Sequence, residues 1–294
     1  MLRRCVIAVC VLCSFFASAH AVTVWQCPVE GKEIVTYDTE TLYYRIRQLE
    51  IEGTQCYLTE ISLEDPSRQI SKVTARWQKD LAYPSELAKK RKDAALVING
   101  SGYVSPVFPW IPENYPGKSS DYYYTPLGSL TVTDSVIYRN LEGVPYYGLT
   151  LEPDGLHLYV DVDNESVLAK QPLQTWSFYI QCPLIQDGES ILDRDWDFAN
   201  AKAMRTIIGQ LDAQHLFVLT VSRHGGGLSL LSCTDWILDN IAPAWAYDLD
   251  GGPSSALLYR KYGSRVMKTA WGNGSKDADI MVFSELPSEE IQAD

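Results

Sequence analysis

The segment YDLDGGPSSALLYRKYG, residues 247–263, links two apolar runs through an acid, two glycines, a proline and two serines. Gly, Pro, Asp and Ser are the residues that β-turns prefer, each for its own backbone reason. By itself the segment therefore indicates a turn between two strands. A second interpretation is a binding turn. Asp250, Ser254 and Ser255 would then place a carboxylate and two hydroxyls beside a backbone that glycine leaves open to a ligand.

The apolar pattern on either side predicts an α+β fold, with a mainly antiparallel sheet system and a few packed helices in a single domain. TLYYRIRQLEIEG and QCYLTEISLED are typical of successive strands bounded by turn residues. A helix is predicted from Pro84 to about residue 93, and a buried strand over 94–98 that ends at Asn99 and Gly100. GLSLLSCTDWILDNIA predicts a second helix, and AWAYDLDGG predicts the strand that enters the opening turn.

Four parts are predicted along the chain. Residues 1–21 contain two arginines, a short apolar run and small residues before Ala21, the pattern of a secretory signal peptide cleaved near that alanine. Residues 22–41 are an N-terminal extension, 42–284 the domain and 285–294 a polar C-terminal tail. We therefore expect export, with a periplasmic or secreted mature chain. No segment after the signal peptide is apolar for long enough to predict a membrane span.

Acidic residues outnumber basic ones, and the formal net charge is −12. Such a surface repels nucleic acid and anionic membrane, so neither is expected as a partner. An anionic substrate would need arginine or lysine placed locally. Residues 103–126 are rich in Pro, Tyr and Gly and have no period, which predicts a long ordered loop of the kind that commonly serves a function.

Four cysteines remain once the signal peptide is removed: Cys27, Cys56, Cys182 and Cys233. In an exported chain they predict two disulfides, and three pairings are open. We favour Cys27–Cys56 and Cys182–Cys233; the alternative is four buried thiols. The spacing contains no C-x-x-C, so a zinc site is not predicted.

Three short elements follow one another: INGSGY at 98–103, RTIIG at 205–209 and DLDGGPSS at 248–255. In this order they resemble the phosphodiester glycosidase family, and the resemblance covers roughly residues 42–284. It implies an exported hydrolase that cleaves a sugar-1-phosphodiester at the anomeric C–O bond, releasing the sugar and a phosphomonoester. It implies no cofactor, and a small-molecule or polysaccharide substrate from polysaccharide or cell-envelope metabolism.

Three positions depart from the family elements. Ser101 and Pro253 stand where the family has glycine, and Asp248 stands where it has asparagine. These departures leave the expected fold unchanged and leave the identity of the sugar open.

The reaction gives the matched residues their roles. Phosphate is a good leaving group, so a strong general acid matters less than it does for ordinary glycosides. Asp250 is expected to activate water or stabilise the oxocarbenium-like centre, and Arg205 to hold the phosphate with its guanidinium fork. Asp248 is a second candidate carboxylate. The expected substrate-binding residues are Asn99, Gly100, Tyr103, Thr206, Gly251, Gly252, Ser254, Ser255 and His224. Asn99, Arg205, Asp250 and Ser254 are predicted to converge on one pocket.

Each of these residues also has a simpler explanation. Asp250 would cap a turn, Arg205 would form a surface ion pair, Asn99 would close a turn, and His224 would be a solvated loop residue. At the level of function, the alternative is a non-catalytic protein of the same fold that binds a carbohydrate or phosphosugar. A serine nucleophile is disfavoured because G-x-S-x-G is absent from the sequence. A metal site is left undecided, since Asp248-x-Asp250 lacks the later ligands of a calcium loop.

Overall fold

Two antiparallel sheets packed face to face make up most of the molecule. The computed structural model describes residues 22–76, 80–103, 124, 126–133, 136–139, 143–178, 182–272 and 274–287. Within them, the larger sheet has the spatial strand order β1 (Lys32–Asp38), β2 (Leu42–Ile51), β3 (Thr54–Leu63), β14 (His215–Val221), β13 (Arg205–Asp212), β15 (Trp245–Asp248), β11 (Pro183–Gln186) and β12 (Glu189–Ser190). The second sheet has the order β17 (Met267–Trp271), β16 (Leu257–Arg260), β5 (Ala94–Asn99), β18 (Asp279–Ser284) and β4 (Ile70–Thr74).

Smaller elements complete the described part of the chain. A three-stranded sheet has the order β10 (Gln174–Trp176), β8 (Tyr146–Glu152) and β9 (Gly155–Val162). A separate hairpin pairs β6 (Leu130–Thr133) with β7 (Val136–Arg139). The helices are α1 (Pro66–Gln69), α2 (Pro84–Ala88), α3 (Asn164–Leu168), α4 (Asp197–Asn200) and α5 (Leu230–Asn240). A single 3₁₀ turn spans Gly252–Ser254. The strand pairs that the structure records are antiparallel, and the α+β prediction is confirmed.

The central strands are buried on both faces, which explains their continuous apolar sequences. In β5, Leu96 and Ile98 face the core between the two sheets, whereas Val97 faces outward beneath α2. In β14, Val218 faces the same inner core and Phe217 lies beneath α5. This alternation follows from the period of two in a strand. The result is a layered order of helix, sheet, sheet and helix.

The predicted helices form, with shorter bounds. The first ends at Ala88 rather than near residue 93, because the basic residues 89–92 are largely exposed and offer no apolar side chain to pack on the sheet. The second begins at Leu230, where the Ser229 side chain accepts a hydrogen bond from the Ser232 amide and so caps the helix.

The ends of the chain bear on the predicted parts. β1, within the predicted N-terminal extension, is the edge strand of the larger sheet. The predicted signal peptide, most of the predicted loop at 103–126 and residues 288–294 of the tail lie outside the described residues. No helix in the described part of the chain is long and apolar enough to cross a membrane.

The expected disulfides are wrong, and the alternative of four buried thiols is what the structure has. Cys27, Cys56, Cys182 and Cys233 are all free and buried. The reason lies in the faces of the larger sheet. Cys182 packs in the core between the sheets, whereas Cys233, on the buried side of α5, packs against the opposite face of the larger sheet, so the sheet separates them. Cys27 and Cys56 both belong to the apolar cluster on the outer face of the larger sheet. The Cys27 sulfur lies 3.7 Å from the Asn240 carbonyl oxygen, and the Cys56 sulfur lies 3.6 Å from the Thr54 carbonyl oxygen.

We expect the folded protein to resist thiol reagents and the unfolded protein to expose all four thiols. Burial excludes the reagent, and desolvation raises the pKa of the Cys56 thiol to about 12, which leaves little thiolate at neutral pH. The measurement is alkylation of unreduced mature protein with and without denaturant, read by peptide mass mapping. Disulfide-linked peptides, or fast labelling of Cys56 in the native protein, would contradict this structure.

Candidate active site

The ends of several strands meet at one edge of the two packed sheets. β5 ends at Asn99, which lies opposite Ile280 near the start of β18. β15 ends at Asp248, which lies opposite Ile207 near the start of β13. Antiparallel pairing therefore brings the end of one strand beside the beginning of its neighbour, and segments far apart in sequence deliver side chains to one place.

The buried side-chain amide of Asn99 joins the two sheets at this edge. Its Nδ2 donates to the Asp250 carbonyl oxygen at 2.6 Å. Its Oδ1 accepts from the Thr206 hydroxyl at 2.7 Å and from the Ala256 amide at 2.9 Å. Asn99 is fully buried, so these bonds replace its contacts with water. The amide does more than close a turn: it fixes the segment that carries Asp250.

Gly100 is required by the close approach of another acid. A Cβ at this position would overlap the Asp279 carboxylate, whose Oδ1 also accepts from the Ser101 amide at 2.8 Å. The Gly100 carbonyl oxygen accepts from the Asp250 amide at 3.1 Å. Asp279 itself pairs with the buried Lys72 ammonium, with Oδ2 and Nζ 3.2 Å apart. The Asn-Gly pair thus serves as a support behind the site.

A cavity of about 210 Å³ opens in front of this support. Its lining is mainly apolar and includes Phe178, Phe198 and Pro253, together with the polar side chains of Asp250, Ser254 and Ser275. The cavity-lining residues are Tyr103, Phe178, Phe198, Ala203, Arg205, Asp250, Gly251, Gly252, Pro253, Ser254 and Ser275. Phe178 and Phe198 meet edge to face, with ring centroids 6.4 Å apart. Such a lining suits a ligand with one apolar face and several hydroxyls.

Asp250 is the partly exposed carboxylate of this cavity. Loss of water raises the pKa of its carboxyl to about 7, although the Ser254 hydroxyl and the Gly251 amide lower it; the nearby Asp279 raises it further. At neutral pH the group is therefore poised between its two protonation states, as a general base or a charge stabiliser requires.

Arg205 lines the cavity and is otherwise enclosed by protein, with 1% of its surface exposed. Its Nη2 donates to the Ala201 carbonyl oxygen at 2.8 Å, and its Nη1 lies 3.5 Å from Asp248 Oδ2. The guanidinium carbon stacks 4.6 Å from the centre of the Phe198 ring. Among the described residues Nε has no hydrogen-bond acceptor. Arg205 is thus a buried cation, not a surface ion pair.

Asp248 lies behind the cavity, fully buried. Burial raises the pKa of its carboxyl to about 7, against the attraction of the Arg205 guanidinium; Asp250 raises it as well. It is not one of the residues that line the cavity, and its position is that of a partner for Arg205.

The chain matches the model of the phosphodiester glycosidase family over residues 93–283, a range that contains all of the cavity-lining residues. It belongs to that family. The catalytic domain of zebrafish N-acetylglucosamine-1-phosphodiester α-N-acetylglucosaminidase, auto-inhibited by its pro-peptide, has a similar fold: the TM-score is 0.62 at 17% identity, covering 87% of this chain and 88% of that one. A hypothetical protein from Synechocystis gives a TM-score of 0.54 at 13% identity, covering 84% of this chain and 63% of that one. No curated protein sequence matches the chain.

The remaining predicted site residues of this family member divide into three groups. Tyr103, Gly251, Gly252 and Ser254 line the cavity with Asp250 and Arg205. Asn99, Gly100, Thr206 and Ser255 form the layer behind it, and the hydroxyl of buried Ser255 has no hydrogen-bond partner among the described residues. His224 is exposed and packs against Trp271, with ring centroids 5.3 Å apart, and it is not one of the cavity-lining residues.

Sequence reasoning missed several residues of the site. Phe178 and Phe198 come from segments with no recognisable motif, and Ser275 follows β17. Asp277 and Asp279 stand at the start of β18, and the D-A-D sequence before an apolar run was the signal that could have identified them. Their spacing is also that of Asp248, which ends β15, and Asp250, two residues later.

One group of possible metal ligands occurs in the described residues, away from these cavity-lining side chains. Glu152, Asp154 and His157 lie on the hairpin between β8 and β9. His157 Nε2 lies 2.9 Å from Asp154 Oδ1, and Glu152 accepts from the Thr150 and Tyr159 hydroxyls. Protein partners account for the arrangement without an ion.

Asn99→Ala is expected to destabilise the fold by about 3 kcal/mol, because it leaves several buried polar groups without a partner. Thr206→Val is the matched control. It removes one hydroxyl and leaves the amide bonded to Asp250 and Ala256, so its expected cost is about 1 kcal/mol. Urea unfolding of both variants measures the difference. Equal losses would show that the amide is not the link between the sheets.

Proposed function

We propose that this protein hydrolyses a sugar-1-phosphodiester at the anomeric C–O bond, and that it does so after export. The observation that carries the proposal is the partly exposed Asp250 carboxylate in a cavity that Phe178, Phe198 and the Arg205 cation also line. Family membership supports hydrolase chemistry of this kind. Export rests on the amino-terminal sequence, residues 1–21.

The size of the cavity favours a single sugar ring as the bound group. Its volume of about 210 Å³ is below the range of roughly 300–1,000 Å³ that is usual for pockets holding drug-sized ligands. Phe178 and Phe198 would cover the apolar face of the ring. Tyr103, Ser254 and Ser275, which also line the cavity, supply hydroxyls for the sugar. We therefore propose that the enzyme acts on a terminal sugar.

The chemistry requires a carboxylate at the anomeric centre and a donor for the departing phosphate. Asp250 supplies the carboxylate, which activates water or stabilises the positive charge that develops on the sugar. The Arg205 guanidinium, which lines the cavity, supplies the charge-assisted donor. The enclosed position of the guanidinium strengthens its interaction with an anion because little water screens it.

Asp250→Asn is expected to lower kcat by at least about a hundredfold, because the substitution keeps the size of the side chain and removes its charge. Binding of a sugar phosphate should persist, since Arg205 is unchanged. Steady-state kinetics on a sugar-1-phosphodiester, with binding measured by thermal shift, test both parts.

The control for this experiment is Asp235→Asn, which alters an exposed acid paired with Arg194 and should behave as wild type. Full activity in Asp250→Asn would remove this residue from the mechanism. Ligand binding with no hydrolysis by the wild-type protein would favour the alternative function, a phosphosugar-binding protein.

Activity is expected to rise as the pH is raised through about 7, the pKa to which burial raises the Asp250 carboxyl. The active form is the ionised one, so protonation at lower pH removes it. The measurement is kcat/KM as a function of pH. An acid limb near the ordinary carboxyl pKa of about 4 would show that Asp250 is not the titrating group.

A further inference from the structure

A second buried carboxyl group, that of Asp277, interacts with Asp250 and follows the cavity-lining Ser275 by two residues. Asp277 stands just before β18 and is 1% exposed. Among the described residues, neither of its carboxylate oxygens has a hydrogen-bond partner. Its backbone is fixed by two hydrogen bonds with Ala82, of 2.9 and 3.1 Å. The side chain is thus buried without an ion pair among the described residues, and Asp250 and the Ser254 hydroxyl act on it.

The cations that the described part of the chain brings to this region are engaged by other acids. Lys72 pairs with Asp279, and Arg205 pairs with Asp248. Lys276, the neighbour of Asp277 in sequence, lies with its Nζ 5.7 Å from the centre of the Tyr83 ring.

The other groups that face Asp277 are Tyr103, Ser254, Asp250 and Asp279. None of them supplies a positive charge. Two adjacent carboxylates without a cation repel each other and lose hydration, so they do not both ionise near neutral pH.

The surroundings divide the proton unequally between the two acids. Burial raises the pKa of the Asp277 carboxyl well above its usual range, and the nearby Asp250 raises it further. Asp250 is partly exposed, and both the Ser254 hydroxyl and the Gly251 amide lower its pKa. Ser254 also lowers the pKa of Asp277. One hydroxyl therefore acts on both carboxyl groups, and Asp277 is the better holder of a proton.

We propose that Asp250 and Asp277 share a single proton, that Asp277 holds it, and that Ser254 connects the two carboxyl groups. This inference rests on the proposed function and gives the site a second acid. Protonated Asp277 donates to Ser254 Oγ, which directs the Ser254 hydrogen to the Asp250 carboxylate. Asp277 is a positioning residue: it transfers no proton to substrate, and it keeps Asp250 as the one ionised acid of the cavity.

Two substitutions separate this role from a merely structural one. Asp277→Asn keeps a donor toward Ser254 and cannot ionise, so kcat should stay within about threefold of wild type near neutral pH. Asp277→Ala removes the donor to Ser254 Oγ, whose hydroxyl in turn bonds the ionised Asp250 carboxylate. The kcat should therefore fall roughly tenfold or more. The wild type should lose activity at alkaline pH, where Asp277 ionises, and Asp277→Asn should not. Asp187→Asn, in an exposed turn, is the matched control.

A readout that needs no turnover keeps this inference distinct from the proposed function. In protein labelled with ¹³C at the aspartate carboxyl carbons, NMR should show one group that titrates well above the ordinary range and disappears in Asp277→Asn. In Asp250→Asn its midpoint should fall, because the repulsion from Asp250 is gone. These results would hold even if no sugar-1-phosphodiester were hydrolysed. Circular dichroism and the labelled spectra confirm that each variant is folded.

Three outcomes would overturn the inference. The first is an Asp277→Asn variant as inactive as Asp277→Ala, which would mean that the charge of Asp277 is needed. The second is a wild-type activity that a chelator removes, which would place a divalent cation between the carboxylates. The third is an Asp277 carboxyl that titrates near the ordinary aspartate pKa of about 4. Each is measured on the intact mature chain.

Discussion

The buried amide of Asn99 is the constraint on which the site depends. A side chain removed from water must find partners for its polar atoms within the protein. Asn99 finds them on both sheets. Its own strand, β5, belongs to the second sheet, whereas Thr206 is in β13 of the larger sheet and Asp250 follows β15 of that sheet. The amide therefore fixes the distance between two sheet edges that hydrophobic packing alone would leave free to slide. The position of the Asp250 carboxylate follows from that distance.

Among the described residues, four acids and two cations set the electrostatics of this edge. The cations pair with the acids that lie deepest behind the cavity, Lys72 with Asp279 and Arg205 with Asp248. The acids nearer to the cavity are left with hydroxyls and amides. That arrangement costs stability, because a buried carboxylate without a cation loses its hydration and gains no ion pair in return. Functional sites commonly retain such local conflicts, and the continuous core of the two sheets tolerates this one.

Sequence alone predicted the parts of the fold that local patterns determine. The run AALVIN, buried on both faces, and the DLDGG turn were recognisable because apolar periodicity and turn chemistry are local. The pairing of cysteines was not, because it depends on which face of a sheet each residue occupies after folding. Cys182 and Cys233 satisfy the usual count for an exported protein and still lie on opposite faces. The number of cysteines says nothing of that geometry.

The candidate site shows the same limit. Asp250 and Arg205 were identified because they belong to motifs, and their convergence followed from strand ends. Asp277 belongs to no motif, and its significance comes from what is missing around it, a cation and a hydrogen-bond partner in the described structure. Such an absence is visible only in three dimensions.

Activity and stability respond to pH in opposite directions in this site. The carboxyls of Asp248, Asp250 and Asp277 have raised pKa values in the folded protein. Between the unfolded value of about 4 and the folded values, the native state binds more protons than the unfolded state, so stability falls as the pH rises. Over the same range Asp250 gains the charge that the reaction needs. The two sheets must therefore supply enough packing energy to keep the site folded at the pH where its carboxylate is ionised.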